Sequence, residues 1–291
     1  MAFWTRALGV AAALWLGLGL MTPSRAETAA PPAEAQAERR VLIIGDSLGD
    51  GIWAGLHRFQ GRGSGWRFIQ KSKVATGLTR NDYYDWPAEL ATMLHGARYD
   101  AAVAVFGAND RQPIKQDSVW HQVGSDGWKQ VYGDRIDAIL QTLERHDVPV
   151  VWVGLPACES PRFDRDAQMI NAVADARIAA AGETFLDLRP LTLLDGAYSA
   201  YLIDSDGRKR LMRSEDGVHF TMRGYLRIAA PVFDALSAIA GDGSTAAPAE
   251  TAAPVRAMRR FGPAEACAVP ARTEAAPGAA AAITPAAAPG N

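Results

Sequence analysis

Between residues 41 and 239, short apolar runs alternate with longer stretches whose apolar residues recur at helical spacing, and that alternation admits few folds. The runs at 41–44, 66–69, 101–106, 148–153 and 184–188 are short and mainly apolar, and fit parallel strands buried on both faces. The stretch 128–143 carries Ile136, Ile139, Leu140 and Leu143 on one face of a helix, and Tyr225, Ile228, Val232, Leu236 and Ile239 do the same farther on. Pro231 falls inside that last stretch and is expected to kink it without ending it, because the apolar spacing continues. Strand and helix in turn predict an α/β fold, a three-layer α/β/α sandwich on a parallel sheet. At this size the flavodoxin-like strand order 2-1-3-4-5 is expected. In that order ligands bind beyond the carboxyl ends of the strands, at the switch point between the first and third.

The flanks are of another kind. Arg6, an apolar run over 7–21 and the small-residue site at Ser24-Arg25-Ala26 read as a secretory signal cleaved after residue 26. That run has 15 residues, where a membrane span needs roughly 20, so no span is expected after cleavage. Residues 27–38 form an Ala, Pro and Glu linker, and 242–291 an Ala/Pro-rich tail. Neither has enough large apolar side chains to offset the entropy of ordering. One domain over 39–241 is left.

A formal net charge of -2 provides no basic face for a polyanion, which argues against nucleic acid as a partner. Arg208, Lys209, Arg210 and Arg213 do cluster, but beside Asp204-Ser205-Asp206-Gly207 they read as a solvated hairpin turn and its strand.

Four blocks carry the chemistry. Ser47, in Gly45-Asp46-Ser47-Leu48, follows the first strand and opens a helix, whose amino terminus favours negative charge. A serine hydroxyl needs a base, and His219 in Asp216-Gly217-Val218-His219 is the candidate, with Asp216 accepting its Nδ1 proton and so turning Nε2 toward Ser47. The oxyanion formed on attack needs donors already in place. The amides of Ser47 and Gly77 and the side chain of Asn109, in Gly107-Ala108-Asn109-Asp110, are the candidates. Gly77 lacks a Cβ and so lets a substrate approach its backbone. Ser47 follows the first strand and Asn109 the third, on the two sides of the expected switch point, and Gly77 follows the second.

In these residues the chain resembles the SGNH (GDSL-type) hydrolases, whose four marker residues match Ser47, Gly77, Asn109 and His219 in order. The resemblance covers roughly residues 40 to 240. Longer runs, Thr76-Gly77-Leu78 on to Asp85-Trp86-Pro87 and 107–112, are similar to a bacterial branch known mainly as a domain of unknown function. The resemblance implies a serine esterase working through an acyl-enzyme, and the branch implies the cell envelope. With the signal, the expected place is the periplasm and the expected substrates are acyl esters, O-acetyl groups on envelope polysaccharide or peptidoglycan among them. An O-acyltransferase using the same triad, and a noncatalytic glycan-binding protein, are the alternatives.

Gly45 to Gly49 also matches the G-x-S-x-G elbow of α/β-hydrolases, but there several strands precede the serine, whereas here one does. Asp46 and Asp110 are expected to brace their loops, and Asp50, Arg80 and Gln112 are candidate substrate-binding residues. Cys158 and Cys267 allow one intramolecular disulfide in an exported chain, with two thiols or an intermolecular bond as the other outcomes. Neither a metal-ligand cluster nor a nucleotide fingerprint is present in the sequence, so no cofactor is expected. Oligomeric state is not legible.

Overall fold

The computed structural model describes residues 38–61 and 64–240. The signal, almost all of the linker, the tail and Cys267 lie outside the described residues, and with them the question of a Cys158–Cys267 bond. In chain order the elements are β1 (Arg39–Gly45), α1 (Ser47–Gln60), β2 (Trp66–Gln70), α2 (Trp86–Leu94), β3 (Ala101–Val105), the hairpin β4 (Ile114–Gln116) and β5 (Val119–His121), and α3 (Asp126–Glu144). They continue with β6 (Val150–Val153), α4 (Pro161–Ala180), β7 (Thr184–Leu186), α5 (Arg189–Thr192), the short strands β8 (Leu193–Leu194) and β9 (Ala197–Tyr198), β10 (Tyr201–Ile203), β11 (Lys209–Leu211) and α6 (Met222–Ile239).

Five strands form a wholly parallel sheet in the order β2-β1-β3-β6-β7, the flavodoxin-like order expected from the alternation. Residues 41–45 of β1 and the whole of β3 and β6 are buried. Helices on both faces exclude water from these strands, which is why they read as continuous apolar runs and not as alternating ones. The chain turns back only once, from β1 outward to β2 and then across to β3. Right-handed crossovers therefore put α1 on one face and α2, α3 and α4 on the other; α6 joins the first face by packing against α1, and α3 packs against both α2 and α4.

Three strands are shorter than their apolar stretches, β3 by one residue, since it ends at Val105. Val148 is buried, but its amide bonds the Leu143 carbonyl at the end of α3, so β6 starts at Val150. Asp187 accepts the amide of Arg189, the first residue of α5, in a local turn, and β7 stops at Leu186. Helix α6 runs on through Pro231 to Ile239, as its spacing implied. Residues 201–211 form the expected antiparallel hairpin, with Asp204 accepting from the amides of Asp206 and Arg208 and from Nε of Arg210. None of the helices among the described residues is long and apolar enough to cross a membrane.

Candidate active site

Gly45 ends β1 in register with Val105 at the end of β3, and beyond this pair the two loops part to open the switch point. Gly45 has φ +130, and a Cβ there would land on the Val105 carbonyl oxygen, so no other residue makes this turn. Asp46 then caps α1 by accepting the amide of Leu48 at 2.9 Å. Ser47 is thereby the first residue of the helix, where amides have no partner within the helix itself.

The other half of the site comes from the end of the domain. The loop 214–219 precedes α6, whose first turn is capped by Thr221, and it carries His219 back over the sheet edge. Ser47 Oγ lies 2.7 Å from His219 Nε2, and His219 Nδ1 lies 2.6 Å from Asp216 Oδ2. A carboxylate can only accept, so Nδ1 carries the proton and Nε2 faces Ser47 as an acceptor. Ser47 is 4% and His219 6% exposed. Burial alone would raise the Asp216 pKa, but the His219 ring and the amides of Val218 and His219 hold it down at about 2. Asp216 is therefore ionised and fixed before any substrate arrives.

Asn109 and Gly77 follow β3 and β2. Asn109 Nδ2 donates to the Thr76 carbonyl at 2.9 Å, which orients the amide and leaves it a second proton. Thr76 is itself held, its hydroxyl donating to the Lys73 carbonyl and accepting from Trp86 Nε1.

Asp46 and Asp110 are fully buried and cross-link these loops. Asp46 reaches from α1 to the amide of Ala108, beside Asn109, at 3.1 Å. Asp110 accepts from the amide and hydroxyl of Thr79 and from Tyr132. Burial pushes Asp46 up to about 7, against the opposing pull of the Leu48 amide and with a further push from the Asp110 charge; burial likewise raises Asp110. The bracing role read for both aspartates is the one the geometry provides. Glycine at 77 also has a structural reason: a Cβ there would fall on the Asp110 carboxylate, so this buried carboxylate itself approaches the backbone closely.

The three candidate substrate contacts all have partners within the chain. Asp50 accepts from Gln70 Nε2 and from Ser72 Oγ, Arg80 is exposed and paired with Asp82 at 2.8 Å, and Gln112 donates to the Asn109 carbonyl at 3.0 Å. Cys158 follows β6 and is buried, its amide bonded to Asp164. Among the described residues no group of three or more His, Cys, Asp or Glu is placed to hold a metal ion.

Arg213 requires a correction. Read as part of a solvated basic cluster, it is 1% exposed and donates to the carbonyls of Ala157, Gly217 and Val218 at 2.7, 3.1 and 2.8 Å. Its neighbours Arg208 and Lys209 stand in solvent because they lie at the hairpin turn, whereas Arg213 lies past the hairpin, bridged to Phe220. Charge clustering in sequence hid this residue; its place three positions before Asp216 was the only signal.

A family model described as "Protein of unknown function (DUF459)" matches residues 40–235. No curated protein matches the chain in sequence. Among solved structures, an alpha/beta hydrolase enzyme from the metagenome of Lake Arreo, Spain, is similar at 15% identity and TM-score 0.50, over 72% of this chain and 98% of that one. A GDSL-like lipase from Bacteroides thetaiotaomicron is similar at 18% identity and TM-score 0.49, over 69% and 88%. A carbohydrate acetylesterase from Sinorhizobium meliloti has 15% identity and TM-score 0.48, over 69% and 99%. At these identities the likeness is one of fold.

Proposed function

The chain belongs to the DUF459 family, and from that premise and the geometry of its site we propose that it is a serine hydrolase of carboxylic esters. One observation carries the reading: the unbroken chain of bonds from Ser47 Oγ through the His219 ring to Asp216. A capping serine and a surface histidine have no need of it.

In this reading Nε2 of His219 takes the Ser47 proton as Oγ attacks the ester carbonyl, and the imidazolium is stabilised by Asp216, which stays ionised. The carbonyl oxygen becomes an oxyanion held by the amides of Ser47 and Gly77 and by the remaining Asn109 Nδ2 proton. Collapse expels the alcohol, which receives the proton from His219 and leaves an acyl group on Ser47. A water then repeats the sequence, giving up its proton to Nε2, which hands it to Ser47 Oγ as the carboxylic acid leaves and so restores the starting state. The buried cross-links of Asp46 and Asp110 support this reading, because oxyanion donors act without reorganisation only when held beforehand.

The substrate proposed is a small acyl ester, with O-acetyl groups on envelope glycans as the biological case and the periplasm as the place. This rests on the signal-like amino terminus and the family resemblance. The test is labelling of the purified chain with a fluorophosphonate, together with an ester panel running from acetyl to long acyl groups. Labelling lost in Ser47→Ala and weakened in His219→Ala, with acetyl esters and acetylated glycans cleaved best, is the result expected. An unlabelled wild type would sink the hydrolase reading; a preference for long acyl chains would sink the acetyl one.

A further inference from the structure

We propose that Arg213 is a positioning residue for the His219 base, holding the loop 214–219 in the conformation that brings Nε2 to Ser47. The inference rests on the reading of Ser47 and His219 given above and assigns a role to a residue outside the four sequence blocks.

The loop is gripped by two side chains of opposite charge. From one, Asp216 accepts the amides of Val218 and His219 at 2.9 and 2.8 Å. From the other, Arg213 donates through Nη2 to the carbonyls of Gly217 and Val218 and through Nε to that of His219 at 3.4 Å. Three successive carbonyls therefore converge on one guanidinium. Such convergence is unfavourable for the carbonyl dipoles unless a cation sits among them, so the charge compensates a backbone shape that the loop would not otherwise keep.

The fourth bond ties the loop to the sheet. Nη1 donates to the Ala157 carbonyl at 2.7 Å, just beyond β6, and the amide of Glu159 bonds the Gly217 carbonyl from the same segment. The guanidinium carbon lies 4.2 Å from the Phe220 ring centre and 5.1 Å from that of Tyr198, contacts that favour a cation. All three guanidinium nitrogens are used, in directions that only a planar fork supplies. A lysine would carry the charge but could not span the four carbonyls.

A large buried cation is costly to keep, and an apolar residue would fill the space at lower cost. What an apolar residue would not do is fix where His219 sits. The loop holds no regular structure of its own, and a displacement of about 1 Å at a catalytic group can cost up to ~10²-fold in rate.

The test compares the full wild-type chain with Arg213→Lys. Active sites are titrated with a fluorophosphonate, kcat and KM are measured on an acetyl ester, and the low-field proton resonance of His219 Nδ1–H is followed by NMR. The expected result is a kcat per titrated site about 10- to 100-fold lower, KM within about twofold, and a broadened or upfield-shifted Nδ1 proton, with the far-ultraviolet circular dichroism retained. A folded Arg213→Lys chain with kcat within about twofold and the proton unmoved would overturn the proposal, whatever its melting temperature.

If Arg213→Lys does not fold, Tyr198→Leu removes one ring against the guanidinium and leaves every hydrogen bond. A several-fold fall in kcat per site at constant KM supports the role, and an unchanged kcat overturns it. Should the wild type hydrolyse no ester at all, the hydrolase reading fails by itself, and the Nδ1 proton in wild type against Arg213→Lys still decides whether Arg213 places His219.

Discussion

The Ser47 hydroxyl and Nε2 of His219 lie 2.7 Å apart although 172 positions separate them along the chain. Ser47 is placed by the end of β1 and the first turn of α1, and His219 by the loop that enters α6. Because α1 and α6 pack together on one face of the sheet, the starts of the two helices come to the same edge. Tyr225, one turn into α6, occupies the space that a Cβ on Gly51 of α1 would fill, so the two helices approach closely just below the site.

Asp216→Asn should cost about 10⁴-fold in kcat with KM little changed, because an amide no longer demands the proton on Nδ1 and the ring can present the wrong tautomer to Ser47. Steady-state kinetics on an acetyl ester measures this. A loss of only a few-fold would mean that something other than Asp216 orients the ring.

Asn109→Ala removes the side-chain donor proposed for the oxyanion while leaving Ser47, His219 and Asp216 in place. The expected loss is about 10²- to 10³-fold in kcat, equivalent to roughly 2.7–4 kcal/mol, with fluorophosphonate still reaching Ser47. An equal loss taken up in KM would instead assign Asn109 to ground-state binding.

Gly77→Ala places a methyl against the Asp110 carboxylate, and one of the two must shift. Overpacking of this kind costs about 1–3 kcal/mol, so a lower melting temperature should accompany a lower kcat. A variant as stable and active as the wild type would show that the loop after β2 yields freely and that Asp110 does not fix it.

Two aspartates should respond to pH with opposite signs. The Asp216 pKa is held down at about 2, below its unfolded value near 3.9. Its contribution to stability is thus complete above that unfolded value and lost as pH falls toward 2. The Asp46 pKa is raised to about 7, so the folded chain binds more protons there than the unfolded one; stability from this group is complete below about pH 3.9 and lost as pH rises through 7. Thermal melts from pH 2 to 8 should therefore lose their acid-side slope in Asp216→Asn and their slope between pH 4 and 7 in Asp46→Asn. If the wild type and Asp46→Asn fall in parallel across pH 4 to 7, Asp46 titrates normally.

Much of this was legible because it is local. Asp216 and His219 share one short loop, and their spacing allows a pair without knowledge of the fold. The buried parallel strands were legible in runs such as 41–44 and 101–106, whose unbroken apolar character signals burial on both faces. The three candidate substrate contacts were less legible, since Asp50, Arg80 and Gln112 each find a partner that sequence spacing does not announce.

What the chain determined by itself is the alternation of strand and helix, and with it the carboxyl edge of the sheet at which Ser47 and Asn109 follow their strands, because both follow from periodicity and the handedness of crossovers. What only the tertiary structure decided is how charge is used once water is gone. Asp46 and Asp110 become struts between loops, the glycine at 77 makes room for one of them, and Arg213 leaves the solvated cluster to which its neighbours belong. Burial turns a charge from a surface ornament into a constraint on the backbone around it, and which charges are buried is settled by packing between segments far apart in sequence.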